Sequence, residues 1–166
     1  IASQVLAIRS VKTTIPVEVL EPPSLLSYVI ALRTIHGLSF VPAQAGIIKV
    51  LIQAIRRGEV IVLACDRDIG NNGLNTCFFG EETVLPSVAV SVAMRTDAAV
   101  VPVFNRRRGI GKYDIYFDPP IDLVPAGNGA TAKNMGKIVS AIEKSISSCP
   151  EQWVVLNRLW ASDQQK

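Results

Sequence analysis

The triplet Asp66-Arg67-Asp68 follows directly on the apolar run Val60 to Cys65, and a loop of Gly70, Asn71, Asn72 and Gly73 comes next, before Phe78 and Phe79 close on Gly80. A run of Val, Ile, Leu, Ala and Cys bounded by charge reads as a buried strand over residues 60–65. Charges at the carboxyl end of such a strand lie where open α/β sheets bind ligands. Three chemistries fit the triplet. Two carboxylates in Asp-x-Asp spacing can grip a divalent cation and, through it, a nucleotide diphosphate, although Arg67 between them opposes the metal. The triplet can equally be a structural ion-pair network at a strand end. The third reading, a polar ligand site, takes its meaning from the rest of the chain.

Other reactive patterns are sparse. His36 is the single histidine, in Arg33-Thr34-Ile35-His36-Gly37 at the end of an expected helix, where an imidazolium suits the dipole. It has no acid four or five residues away, and the chain has no Gly-x-Ser-x-Gly elbow, so no resident triad is expected. Cys65, Cys77 and Cys149 are odd in number and lack Cys-x-x-Cys spacing, which points to reduced thiols and no metal site. Arg106, Arg107 and Arg108, with Lys112 across Gly109 and Gly111, form the one basic cluster. Without interleaved aromatics, and with a net charge of only +3, it does not argue for nucleic acid. A solvated hairpin turn, or a surface for anionic lipid head groups or an acyl-carrier partner, remains.

The elements that must position these residues follow from periodicity. The first eight residues read as the tail of a helix, and Thr13 to Val19 as a strand despite Pro16. Pro22-Pro23-Ser24 opens a helix with Leu25, Tyr28, Val29 and Leu32 on one face, ended by Gly37. Leu38 to Val41 reads as a short strand. Ile47, Ile48, Leu51, Ile52 and Ile55 trace an amphipathic helix that Gly58 stops. Pro86 opens a helix through about Arg95, and Ala98 to Phe104 reads as a strand paired antiparallel with Tyr113 to Phe117 across an Arg-Gly turn. After a Pro- and Gly-rich loop over 119–129 comes a helix from Thr131 to Ser147 faced by Ile138, Ala141, Ile142, Ser145 and Ile146. Pro150 opens a last helix with Trp153, Leu156 and Trp160 on one side, and 161–166 reads as a frayed tail. Alternation of strands and helices predicts an α/β layered fold with a mostly parallel sheet.

The 166 residues suit one domain, burying roughly two thirds of the unfolded surface. Hydrophobic content of 49% against 19% charged, dominated by Val, Ile, Leu and Ala, suits buried parallel strands and is compatible with a protein resting on a membrane. No apolar stretch reaches the ~18 residues that would span a bilayer. The chain opens at Ile1 without Met or a signal sequence and reads as an internal fragment or a processed chain.

The string from Arg56 to Val103, with Gly58-Glu59, the charged triplet, Phe78-Phe79-Gly80, Leu85-Pro86 and Val101-Pro102-Val103, resembles the bacterial lipid A and phosphatidylinositol-mannoside acyltransferases of the lysophospholipid acyltransferase superfamily. Pro150-Glu151-Gln152-Trp153 is similar to that family's closing motif, and the resemblance runs from about Thr13 to Trp160. It implies a glycerol-3-phosphate acyltransferase-like sheet with helices on both faces, N-terminally truncated. The family's His-x-x-x-x-Asp/Glu pair is absent here and is expected just upstream of Ile1. Val88 departs from the family, which usually has Gly after the Leu-Pro pair.

The resemblance implies transfer of a fatty acyl chain from acyl-CoA or acyl-carrier protein, as donor substrate, to a hydroxyl of a glycolipid or lysophospholipid, without a further cofactor, at the cytoplasmic face of the cell membrane. An upstream His would act as general base. Glu18, Arg33 and Asp66 match family site positions in supporting catalytic roles. Arg67 or Arg33 would stabilise the oxyanion or grip a phosphate. Arg67, Asp68, Phe78, Phe79 and Gly80 are the expected substrate-binding residues, the two phenylalanines being either core or a wall of the acyl channel. The alternatives are a metal-dependent nucleotide-sugar glycosyltransferase using Asp66 and Asp68, and a non-catalytic lipid-binding domain.

Overall fold

The computed structural model describes residues 2–34, 38–68, 73–155 and 158–160, which form two compact units, Ile1–Ala64 and Cys65–Lys166. The side chains of Ala2 and Arg33, the His36-Gly37 helix end and the expected frayed tail lie outside the described residues. The chain is mixed α/β, with a three-stranded parallel sheet and helices in the first unit.

The first unit runs α1 (Ala2–Ile8), β1 (Thr13–Val17), α2 (Pro23–Thr34), β2 (Ser39–Pro42), α3 (Ile47–Arg56) and β3 (Val60–Ile61). The sheet order is β2-β1-β3, with Thr14 opposite Ser39 and Thr13 opposite Val60. The expected strand over 60–65 is cut to two residues, and Val60 is 39% exposed rather than buried. Pro16 gives the reason. The Lys12 and Thr14 carbonyls accept from Val60 and Val62, so the next group on that side of β1 is Pro16, which has no N–H to continue the ladder.

Helix α3 follows the predicted stripe. Leu51 and Ala54 are fully buried, the helix packs on β1 and β3, and Gly58 adopts φ +77° just past its end. The face read for α2 is not packed away, since Leu25, Tyr28 and Leu32 are exposed.

The second unit contains β4 (Leu74–Phe78), β5 (Glu81–Leu85), α4 (Val88–Thr96), β6 (Val103–Gly109), β7 (Lys112–Phe117) and α5 (Ala130–Ser148), closed by a 3-10 turn at Pro150–Gln152. Its strands form two antiparallel hairpins, β4–β5 and β6–β7. The first was not expected from the sequence. Its turn places Phe79 at φ +53° and Gly80 at φ +82°, the paired left-handed conformation that joins two strands in a two-residue loop. The second was expected, but β6 starts at Val103 rather than Ala98, because Pro102 interrupts the ladder; the Pro102 carbonyl still accepts from Asp118.

The core of this unit joins Phe78 and Leu85 of the first hairpin to Val90 and Val92 of α4 and to Met135, Ile138, Val139 and Ile142 of α5. The buried face of α5 therefore lies further toward its N-terminus than the expected one, which ran to Ile146. Asn134, fully buried on α5, accepts from the Val124 amide at 2.7 Å and donates to its carbonyl at 3.0 Å. One side chain thus pins the loop over 119–129 as a strand partner would. The helix expected after Pro150 is only a 3-10 turn; beyond it Trp153 is extended and Trp160 bridges to Thr83 of β5.

Candidate functional site

Asp66 and Arg67 are half-buried at the start of the second unit. The indole N–H of Trp153 donates to Asp66 Oδ2 at 3.1 Å. Asp68 turns elsewhere: its Oδ2 accepts from the Gly73 amide at 2.9 Å, and residues 69–72 between them are outside the described residues. Gly73 has no room for a side chain, because a Cβ there would overlap the Leu85 carbonyl. The two carboxylates are thus held by different segments.

Phe78 and Phe79 divide between the two expected readings. Phe78 is wholly buried, its ring 4.7 Å from Phe79, edge-on to Trp153 at 5.8 Å and stacked with Trp160 at 6.5 Å. Phe79 is 41% exposed, and its amide donates to Glu143 Oε1 at 2.6 Å. Gly80 provides the turn that makes this presentation possible. Trp160 donates its indole N–H to the Phe78 carbonyl at 3.0 Å, and Thr83 Oγ1 donates to the Leu159 carbonyl. The resulting aromatic cluster flanks the Asp66 carboxylate, so an apolar wall lies beside a fixed anion.

The closing motif works as two clamps. The Gln152 side chain accepts from the Arg107 amide at 2.6 Å and donates to the Arg107 carbonyl at 3.1 Å, while Trp153 holds Asp66. Neither role was visible from periodicity; the signal available was that a buried Trp needs a partner for its N–H. Glu143 was missed as well, since a carboxylate on α5 gives no hint of a turn amide 64 positions away.

Cys65 adjoins the triplet. Burial, reinforced by the Asp66 charge, pushes its thiol up to about 12, which removes it as a nucleophile at neutral pH. Glu18 and Arg33 belong to the first unit, Glu18 exposed just past β1 and Arg33 in the last turn of α2. Toward the start of β1 in that unit, Glu59 accepts from Thr14 Oγ1 at 2.6 Å and pairs with Arg57 at 2.7 Å. The Arg57 hydrogen bond first, then Thr14, hold the Glu59 carboxyl below its ordinary range. Among the described residues no group of three or more His, Cys, Asp or Glu side chains is placed to hold a metal ion. No helix among them is long and apolar enough to cross a membrane.

The mixed α/β chain, whose Trp153 holds the Asp66 carboxylate, belongs to the bacterial lipid A biosynthesis acyltransferase family, whose model matches residues 1–162. It is similar to the phosphatidylinositol mannoside acyltransferase of Mycobacterium tuberculosis (strain CDC 1551 / Oshkosh), 28% identical over 88% of this chain and 46% of that protein. It is also similar to the lipid A biosynthesis lauroyltransferase of Escherichia coli (strain K12), 32% identical over 67% of this chain and 37% of the relative. The palmitoleoyltransferase of the same organism is 28% identical over 65% of this chain and 35% of its own length. The chain thus spans about half the length, or less, of these relatives.

Proposed function

We propose that the protein containing this chain transfers a fatty acyl group from a thioester donor, acyl-CoA or acyl-carrier protein, to a hydroxyl of a glycolipid acceptor at a membrane surface. The observation that carries the reading is the Asp66 carboxylate fixed by Trp153 beside an aromatic wall, on residues that match an acyltransferase family. In the reaction the acceptor hydroxyl loses its proton to a general base, its oxygen attacks the thioester carbonyl, and the thiol leaves as the tetrahedral oxyanion collapses. The single histidine here is not followed by an acid at the His-x-x-x-x-Asp/Glu spacing, so the base is assigned to such a pair N-terminal to these residues.

The chain's own groups have supporting parts in this reading. Asp66 accepts from hydroxyls of the acceptor, and Arg67 supplies positive charge to a phosphate or to the oxyanion. Asp68 holds the Gly73 amide just before β4, and the exposed ring of Phe79 offers apolar surface to the acyl chain. Glu18 and Arg33 are assigned, from their match to family positions, to orienting polar substrate groups. A glycerol-3-phosphate acyltransferase-like layered sheet, attached peripherally at the cytoplasmic face of the membrane, is the architecture this function implies. The separate hydrogen bonds of Asp66 and Asp68 speak against a shared metal in the glycosyltransferase alternative.

The test uses labelled acyl-CoA and acyl-carrier protein with phosphatidylinositol mannoside or a lipid A precursor. The 166-residue chain alone is expected to be inactive, and the same chain joined to a preceding segment bearing the His-x-x-x-x-Asp/Glu pair active. Turnover by the chain alone would remove the external base. Inactivity of both would remove acyl transfer.

A further inference from the structure

We propose that the β6–β7 hairpin is a docking surface for an anionic lipid bilayer, which rests on the membrane-peripheral reading above and gives it a location. Ile110 sits at the hairpin apex and is 93% exposed, the most exposed large hydrophobic side chain among the described residues. A solvated isoleucine at a turn has no folding role, since the turn itself is made by Gly111 at φ +67°. Its surroundings supply one. Arg106, Arg107, Arg108 and Lys112 flank the apex, against Asp114 as the one carboxylate of the hairpin. That is the charge a phosphate-rich surface attracts.

The cations are positioned rather than loose. Arg108 pairs with Asp114 at 2.5 Å, Arg106 lies over the Tyr116 ring at 5.4 Å and donates to Ser148 at 2.7 Å. Lys112 has no hydrogen bond or ion pair among the described residues, and its exposed ammonium is available beside Ile110. The exposed rings of Tyr113, Tyr116 and Phe117 on β7 add the amphipathic aromatics that favour the head-group layer. The Gln152 clamp on Arg107 fixes the hairpin to the body of its unit, so the apex is presented on a rigid arm. An apolar tip ringed by cations and tyrosines fits a bilayer interface better than an acidic protein partner, which would leave Ile110 without an apolar receptor.

Vesicle co-sedimentation of the chain tests this without any turnover. Phosphatidylcholine vesicles carrying about a third phosphatidylglycerol should bind it, pure phosphatidylcholine should bind weakly, and high salt should release it. Ile110→Asp and the Arg107→Glu/Lys112→Glu pair should each lower partitioning tenfold or more, with unchanged thermal unfolding because these side chains are exposed. Binding that is unaffected by these substitutions would overturn the hairpin assignment while leaving peripheral attachment standing. No vesicle binding, or capture only by acyl-carrier protein, would overturn it also.

Discussion

Trp153, the last residue of the closing motif, donates its indole N–H to the carboxylate of Asp66 at 3.1 Å across 87 positions of sequence. The closing motif therefore holds the first residue of the charged triplet directly. Trp153→Phe keeps the ring contacts with Phe78 and deletes the donor. Hydrogen bonds to charged groups contribute about 1.5–3 kcal/mol, and partial exposure places this one at about 1–2 kcal/mol. A double-mutant cycle with Asp66→Asn, read by urea unfolding, should give a coupling of about 1 kcal/mol. Additivity would mean that the bond contributes nothing.

Gln152 presents both a donor and an acceptor to the Arg107 backbone, so shape alone does not suffice there. Gln152→Glu is nearly isosteric but sets a carboxylate against the Arg107 carbonyl. It should cost about 1–2 kcal/mol in chemical denaturation, because the Arg107 carbonyl loses its donor while the Arg107 amide keeps an acceptor.

Asn134 is fully buried, and both of its hydrogen bonds go to Val124. Asn134→Leu leaves the half-buried Val124 N–H and C=O without their partner and should cost about 1–3 kcal/mol. Protease cleavage in the loop over 119–129 should rise with it. A loss confined to global stability, with no new cleavage there, would contradict the pinning role.

Gly80 at φ +82° follows Phe79 at φ +53°, and only glycine takes that second position without strain. Gly80→Val should destabilise by about 1–2 kcal/mol. Gly127→Ala, in a surface loop where an added Cβ meets no atom closer than 4.0 Å, should be nearly neutral in the same thermal melt.

Burial, with the Asp66 charge beside it, pushes the folded Cys65 thiol up to about 12 from its ordinary 9.0. Because the folded value is the raised one, the contribution to stability is complete below about pH 9 and is lost as pH rises toward about 12. Denaturation at alkaline pH should show this decline, and Cys65→Ala should flatten it. At pH 8.5, a value chosen near ordinary thiol titration, iodoacetamide should label exposed Cys77 well before Cys65 by peptide mass spectrometry.

Local pattern was enough for several elements. The Ile47 to Ile55 stripe and the Gly58 stop depend on side chains a few positions apart and formed as read, and the β6–β7 pairing formed as an antiparallel hairpin, with Arg106 to Arg108 inside β6 rather than in its turn. The family, too, was legible, because its charged triplet, Phe-Phe-Gly and closing motif are strings. Tertiary structure decided the rest. A missing N–H at Pro16 ended β3 early, since a ladder needs donors on a neighbouring strand that periodicity within one segment does not describe. The burial of Phe78, the exposure of Phe79, the Glu143 bond and the two clamps of Gln152 and Trp153 arise from segments dozens of residues apart meeting in space. Sequence determined which groups carry charge and which are apolar; only folding assigned each polar atom its partner.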